Sequence, residues 1–384
     1  MLKLTRNKIM LVAIKALVLT FVFSSVASAA MPKSPKLAAS AYILLDFNSG
    51  KVIAEKNSTK KIEPASLTKM MSSYVIDQEL KLGNIKLEDE VKISEKAWRM
   101  GGSRMFVEVG SRVSVKDLLM GVIVQSGNDA TVALAEHVAG TEDAFVALMN
   151  EYAQILGMKD TNFANATGMP HKKHRTTARD LATLVNALIR DFPEQYEWYS
   201  IKELTYNGIK QYNRNKLLWQ DKYVDGVKTG HTESAGFCLA ASAQRGDMRL
   251  ISVVLGTKSE SARATESQKL LTFGFRFFET HKLYSAEESL TTARVWKGNV
   301  ERISLGLSDD LYVTIPRGGY DKLKATMSID TRIVAPAIKG KIYGMVNITL
   351  NREPYLSRDL IALNDIREGG FVSSLLDEVQ LLFE

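Results

Sequence analysis

The stretch Pro64-Ala65-Ser66-Leu67-Thr68-Lys69-Met70-Met71 decides how this chain is read. From Ser66 onward, apolar Leu67, Met70, Met71, Tyr74 and Val75 recur at helical spacing, so Ser66 opens a helix. Residues three apart share one helix face, which lets the Ser66 hydroxyl meet the Lys69 amine. A serine hydroxyl is a weak nucleophile until a base takes its proton. A lysine becomes that base where burial or nearby cations disfavour its charged form. The helix start adds unpaired backbone N–H groups suited to a developing oxyanion.

The same pattern stands just upstream as Ser58-Thr59-Lys60-Lys61. That copy lies in a basic loop with Pro64 before the next helix, and nothing there desolvates Lys61, so it reads as a solvated charge run. Further upstream, residues 40–46 and 51–56 are apolar runs joined by Phe47-Asn48-Ser49-Gly50, a hairpin signal. Only the Ser66 copy has a strand–loop–helix context.

Downstream, three helices are expected over 114–156. Ser114-Val115-Lys116-Asp117 resembles a capping box for the first, and Thr141 can cap the third. Between two of them lies Ser126-Gly127-Asn128. On local grounds Gly127 ends a helix and Asn128 caps the next, and such a turn can also hold the Ser126 and Asn128 side chains over a cleft. Another helix is expected over 177–190. Residues 224–232 read as a strand carrying Lys228-Thr229-Gly230, followed by His231 and Thr232. On a strand Lys228 and Gly230 share one face, and the glycine lets a substrate backbone approach closely. The plain alternative is an edge strand with a lysine for solubility. Segments 236–243 and 248–255 flank Gln244-Arg245-Gly246-Asp247, where a tight turn accounts for the Arg-Gly-Asp triplet without adhesion. A helix over about 263–280 is expected to close the first domain. Beyond it, short β-prone segments such as Tyr312-Val313-Thr314-Ile315 argue a small all-β domain, and 371–383 returns to helical spacing.

At 384 residues the chain exceeds one small core, which agrees with two domains. Its first thirty residues read as a signal peptide: Lys3, Arg6, Lys8 and Lys15 around an apolar run over 16–26, then Ala27-Ser28-Ala29. Cleavage removes four basic side chains and no acids, which lowers the net charge from +7 to +3. That balance gives no reason to expect a nucleic-acid partner. Cys238 is the only cysteine and sits in an apolar run, so it reads as a buried thiol and no internal disulfide can form. His137, His171, His174, His231 and His281 make no metal-binding spacing, and no glycine-rich phosphate loop is present, so neither metal nor cofactor is expected.

Each motif is modest alone, but the order SxxK, SxN, KTG is specific to penicillin-recognising enzymes. The chain resembles the low-molecular-mass penicillin-binding proteins that act as D-alanyl-D-alanine carboxypeptidases. The likeness extends through Gly102-Ser103-Arg104-Met105-Phe106, Asn213-Arg214-Asn215, Val224-Asp225-Gly226, Gly274-Phe275-Arg276-Phe277-Phe278-Glu279-Thr280 and Ile315-Pro316-Arg317-Gly318. It implies an α/β (α+β) catalytic domain over 30–281, with a central antiparallel sheet, flanking helices and a helical subdomain. A β-sandwich over 285–368 and a C-terminal amphipathic helix over 369–384 would follow the signal peptide (1–29) and that domain. By this likeness Ser66 is the acylated nucleophile, Lys69 its base, and Ser126 relays a proton to the departing D-alanine. Asn128 would hold the peptide side, and Lys228, Thr229 and Gly230 the terminal carboxylate side, with Arg214 and Arg263 near that carboxylate. The backbone N–H groups of Ser66 and His231 would form the oxyanion hole. The expected substrate is the peptidoglycan pentapeptide, and the expected inhibitors are β-lactams.

A class A β-lactamase shares the SxxK and KTG logic but needs a glutamate to clear its acyl-enzyme. Segment 162–179, where that loop should lie, contains none. A non-catalytic wall-binding protein would show a broken Ser66, Lys69 or Lys228, and all three stand. Endopeptidase action on cross-links uses the same machinery with a different pocket shape. In the tail, Phe371, Leu375, Val379 and Leu382 line one face, yet residues 368–384 hold four acids and no base. Two readings follow: peripheral contact with the inner membrane of an exported, periplasmic protein, or a terminal helix packed on the β domain or a partner.

Overall fold

The computed structural model describes residues 33–370 and Asp377, so the expected signal peptide and nearly all of the expected tail helix lie outside the described residues. Strand β1 (Ala41–Asp46) is buried along its whole length and pairs antiparallel with β2 (Val52–Lys56). Successive strand side chains point to opposite faces. Ala41, Ile43 and Leu45 join one apolar core, whereas Tyr42 and Leu44 join another. A strand that fills two cores has no polar face, hence the unbroken apolar run.

The helices α1 (Lys69–Leu82), α2 (Val115–Met120), α3 (Asn128–Ala139), α4 (Glu142–Ile155) and α5 (Ala178–Asp191) supply the first core. Ser114, Thr141 and Thr177 cap α2, α4 and α5 by accepting the Asp117, Ala144 and Asp180 N–H groups, each cap worth about 1 kcal/mol. A hairpin, β3 (Glu203–Tyr206) and β4 (Ile209–Tyr212), leads towards the last three strands of the sheet. These are β5 (Val224–Thr232), β6 (Gly236–Arg245) and β7 (Met248–Thr257). The sheet order is β2-β1-β7-β6-β5, antiparallel throughout, with β5 at an edge. Cys238 on β6 is buried, and that burial pushes its thiol up to about 11.

Helix α6 (Glu260–Phe277) covers the other face. A Cβ on its Gly274 would fall 2.5 Å from Leu250 Cδ1 and 3.0 Å from Leu44 Cδ2, so the glycine brings helix and sheet together. This helix was expected to run to about residue 280, but it ends at Phe277. The next residue starts β8 (Phe278–Tyr284), which pairs antiparallel with β11 (Leu311–Pro316). The domain boundary expected between 281 and 285 therefore falls inside a strand. The reason is a non-local ladder, reinforced by the Thr280 hydroxyl, which donates to buried Asp46 at 2.7 Å and lies 2.9 Å from Thr314 Oγ1. Between β8 and β11 come β9 (Thr291–Trp296) and β10 (Arg302–Gly306). After β11 follow β12 (Leu323–Ile329), β13 (Ile333–Val334), β14 (Ile342–Leu350) and β15 (Glu353–Ala362). They form a six-stranded sheet, β12-β14-β15-β10-β9-β13, whose core also takes Leu311, Val313 and Ile315 from β11.

Candidate active site

Ser66 lies in a tight 3-10 turn, Ala65–Thr68, and α1 begins only at Lys69. Two glycines let this turn sit where it does. Gly168 has φ +87° and a Cβ there would be 1.8 Å from the Ala65 carbonyl oxygen; one on Gly230 would be 3.1 Å from that of Pro64. The close approach that Gly230 allows is thus by the chain's own Ser66 turn, where a substrate backbone had been expected.

Lys69 is fully buried, and its Nζ lies 2.6 Å from Asn128 Oδ1, 2.6 Å from the Thr167 carbonyl oxygen and 3.3 Å from Ser66 Oγ. Burial, then the Arg214 charge, lower its affinity for a proton, and Asp129 partly opposes them, which leaves the amine at about 7. A neutral amine has two N–H donors and one lone pair. Two of its three neighbours are carbonyl-type oxygens that can only accept. The two N–H groups are spent on them, and the lone pair is left to receive the Ser66 hydroxyl proton.

Ser126 follows a π-helical turn, Gly121–Gln125, and adopts left-handed φ 66° and ψ 35°. Gly127, expected to end the helix, sits at φ −61° as the N-cap of α3, and Asn128 is the first residue of α3 rather than its cap. Ser126 is buried, and its Oγ has no hydrogen-bond partner among the described residues. The Asn128 amide donates to the Gly101 carbonyl at 2.7 Å while accepting from Lys69, so its first contacts are internal and not free for a peptide.

On the edge strand β5, Lys228 and Thr229 are both buried, which excludes a solubility lysine. Burial drives the Lys228 proton affinity well down, assisted by Lys69, Arg214 and Arg263. Arg263 is buried, donates to the Gly230 carbonyl at 3.4 Å and lies 3.9 Å from Glu260. Arg214 is exposed, and its charge reaches both lysines. His231 is exposed, with its ring stacked on Phe237 at 3.9 Å. The fold thus joins Ser66, Lys69 and Asn128 through the Lys69 amine, leaves Ser126 two residues before Asn128, and sets Lys228 within reach of the Lys69, Arg214 and Arg263 charges. Among the described residues, no group of His, Cys, Asp or Glu could hold a metal ion.

Sequence reasoning missed the Thr167 carbonyl, a backbone atom that no residue type announces, and Asp129, whose partners lie in a distant segment. It also misjudged Ser58. Lys61 is exposed as expected, but Ser58 is buried and donates to Glu55.

A family model described as D-alanyl-D-alanine carboxypeptidase matches residues 28–259, and one described as the penicillin-binding protein 5 C-terminal domain matches 278–368. The D-alanyl-D-alanine carboxypeptidase DacA of Escherichia coli K12 is 45% identical over 361 residues, covering 92% of this chain and 90% of that protein. The crystal structure of penicillin binding protein 5 from Haemophilus influenzae is 44% identical, with a TM-score of 0.85, and covers 88% of this chain and 100% of that one. Penicillin-binding protein D2 from Listeria monocytogenes, solved in an ampicillin-bound form, is 29% identical with a TM-score of 0.59; the match covers 64% of this chain and 100% of that one.

Proposed function

Because the chain belongs to the D-alanyl-D-alanine carboxypeptidase family of serine peptidases, we propose that it removes the terminal D-alanine of peptidoglycan stem peptides through an ester on Ser66. Carboxypeptidase activity and β-lactam binding are properties of this family fold, and the chain carries both domains of it. The observation that carries the residue assignment is the Lys69 amine, buried between two acceptors with its third side towards Ser66 Oγ.

In this reading neutral Lys69 takes the Ser66 proton as Oγ attacks the carbonyl carbon of the penultimate residue. The backbone N–H groups of Ser66 and His231 stabilise the oxyanion. As the C–N bond breaks, the proton returns through the Ser126 hydroxyl to the amine of the departing D-alanine. Water then cleaves the ester. Arg214 and Arg263 supply positive charge for the terminal carboxylate, and Lys228 and the Thr229 hydroxyl donate hydrogen bonds to it. With no glutamate in 162–179, a penicillin adduct should clear slowly. The test is intact-mass analysis and peptide mapping after brief exposure to penicillin. A persistent adduct on Ser66 alone is expected; an adduct on Ser58, or none, would sink the mechanism.

The proposal extends to location: export to the periplasm, with the tail touching the inner membrane. The signal-like N-terminus and the apolar spacing of 371–382 support it. Among the described residues, no helix is long and apolar enough to cross a membrane. Asp377 accepts the Lys297 N–H at 2.6 Å and lies 3.5 Å from Arg294, which favours the competing reading, a tail packed on the β domain. Deleting residues 370–384 should leave hydrolysis of a soluble D-alanyl-D-alanine peptide unchanged and release the membrane-sedimenting fraction. Because the tail is acidic, raised salt alone should release little. Full-length protein found wholly in the soluble fraction would leave only the packed tail.

A further inference from the structure

Asp129 directly follows the Ser126-Gly127-Asn128 turn and is fully buried in the first turn of α3. Its carboxylate accepts four backbone N–H groups. Oδ1 takes those of Met105 at 2.8 Å and Ala130 at 2.9 Å, and Oδ2 those of Phe106 at 2.8 Å and Val107 at 3.3 Å. These bonds hold exposed Phe106 at φ 70°, a region that bulky residues rarely adopt. The same segment begins with two carbonyls that face Asn128. Ser103 O accepts the Asn128 backbone N–H at 2.7 Å, and Gly101 O accepts its side-chain N–H at 2.7 Å. An amide whose NH2 is committed to a carbonyl must turn its oxygen the other way, here to Lys69.

We infer that Asp129 is a positioning residue for acylation: by clamping residues 105–107 it fixes the Gly101 carbonyl, hence the Asn128 amide, hence the side of the Lys69 amine left to face Ser66. The inference rests on the reading of Lys69 as the base. Asp129 also acts through its charge, which favours protonated Lys69 against burial and Arg214. The other charged or titratable groups facing Lys69 are Lys228 on β5 and His174 in the loop before α5. Position and charge are separable by substitution.

The experiment measures the acylation rate at saturating penicillin from about pH 5 to about pH 10 for the wild type, Asp129→Asn and Asp129→Glu. Asp129→Asn removes the charge and turns one acceptor into a donor. Its plateau rate should fall by roughly 100-fold, and its midpoint should move below that of the wild type. Asp129→Glu keeps the charge but displaces the carboxylate, so its plateau should fall by about tenfold or more with the midpoint unmoved. A purely architectural aspartate would lower the melting temperature of both variants and leave plateau and midpoint at wild-type values, which overturns the inference. If Asp129→Asn fails to fold, Asp129→Glu decides alone: a reduced plateau supports the inference, and a wild-type plateau overturns it. A wild-type enzyme with no rise through neutral pH is a distinct failure, because it removes the Lys69 assignment and this inference with it.

Discussion

Ser58-Thr59-Lys60-Lys61 and Ser66-Leu67-Thr68-Lys69 carry the same two functional groups at the same spacing on either side of one short loop. Lys61 keeps 60% of its side chain exposed and pairs with Asp160 at 3.1 Å. The Ser58 hydroxyl donates to Glu55, which also pairs with Arg179 at 2.6 Å. Hydroxyl and amine in the first copy are thus each bound to a separate carboxylate. In the second copy the lysine is fully buried, no carboxylate among the described residues pairs with its Nζ, and its contacts are oxygens that accept without charge. A nucleophile therefore depends less on the four-residue pattern than on which copy is dried and set within reach of a cation.

The sharpest way to break the comparison is Lys69→Arg. A guanidinium stays protonated at any working pH and cannot take the serine proton. Acylation of Ser66 should fall by about 1,000-fold or more while the melting temperature shows a folded protein. Near-normal acylation would mean that another group serves as base and that the contrast between the copies is incidental. A smaller effect is expected from Arg214→Ala. Removing that cation relieves one of the two influences that hold the Lys69 proton affinity down. The wild-type acylation rate should rise with pH and be half-maximal at about 7, because only the unprotonated amine is a base. In the variant that midpoint should move upward by less than about one unit, since burial is the larger cause. Stopped-flow acylation at saturating penicillin checks it, and an unchanged or lowered midpoint contradicts the electrostatic account.

Much of this was legible because it is local. The Ser66–Lys69 spacing, the caps at Ser114 and Thr141, and the hairpin around Gly246 and Asp247 each depend on residues a few positions apart. What was missed depends on distant partners. Phe275, Phe277 and Phe278 continue an aromatic texture that a helix or a strand can use, and only pairing with Leu311–Pro316 ends the helix at Phe277. Asp129 resembles an ordinary acid in a helix's first turn until the amides of Met105, Phe106 and Val107 fold back onto it. Ser126 ends the helix, in the left-handed conformation, where its glycine neighbour was expected to end it. The π-helical turn before it shifts the helix end by a residue, and hydrophobic spacing carries no mark of such a turn.

The join between α6 and β8 also bears on reach. The last helical residue of one domain is followed at once by a strand whose ladder belongs to the other. Arg317 of the β domain donates back to the carbonyls of Phe275 and Phe278 at 2.8 and 3.1 Å. A flexible linker would let the cleft sample a volume that grows with linker length. Here helix passes straight into ladder and Arg317 ties the join from the other side, so the β domain holds the catalytic domain as a ruler does rather than a leash.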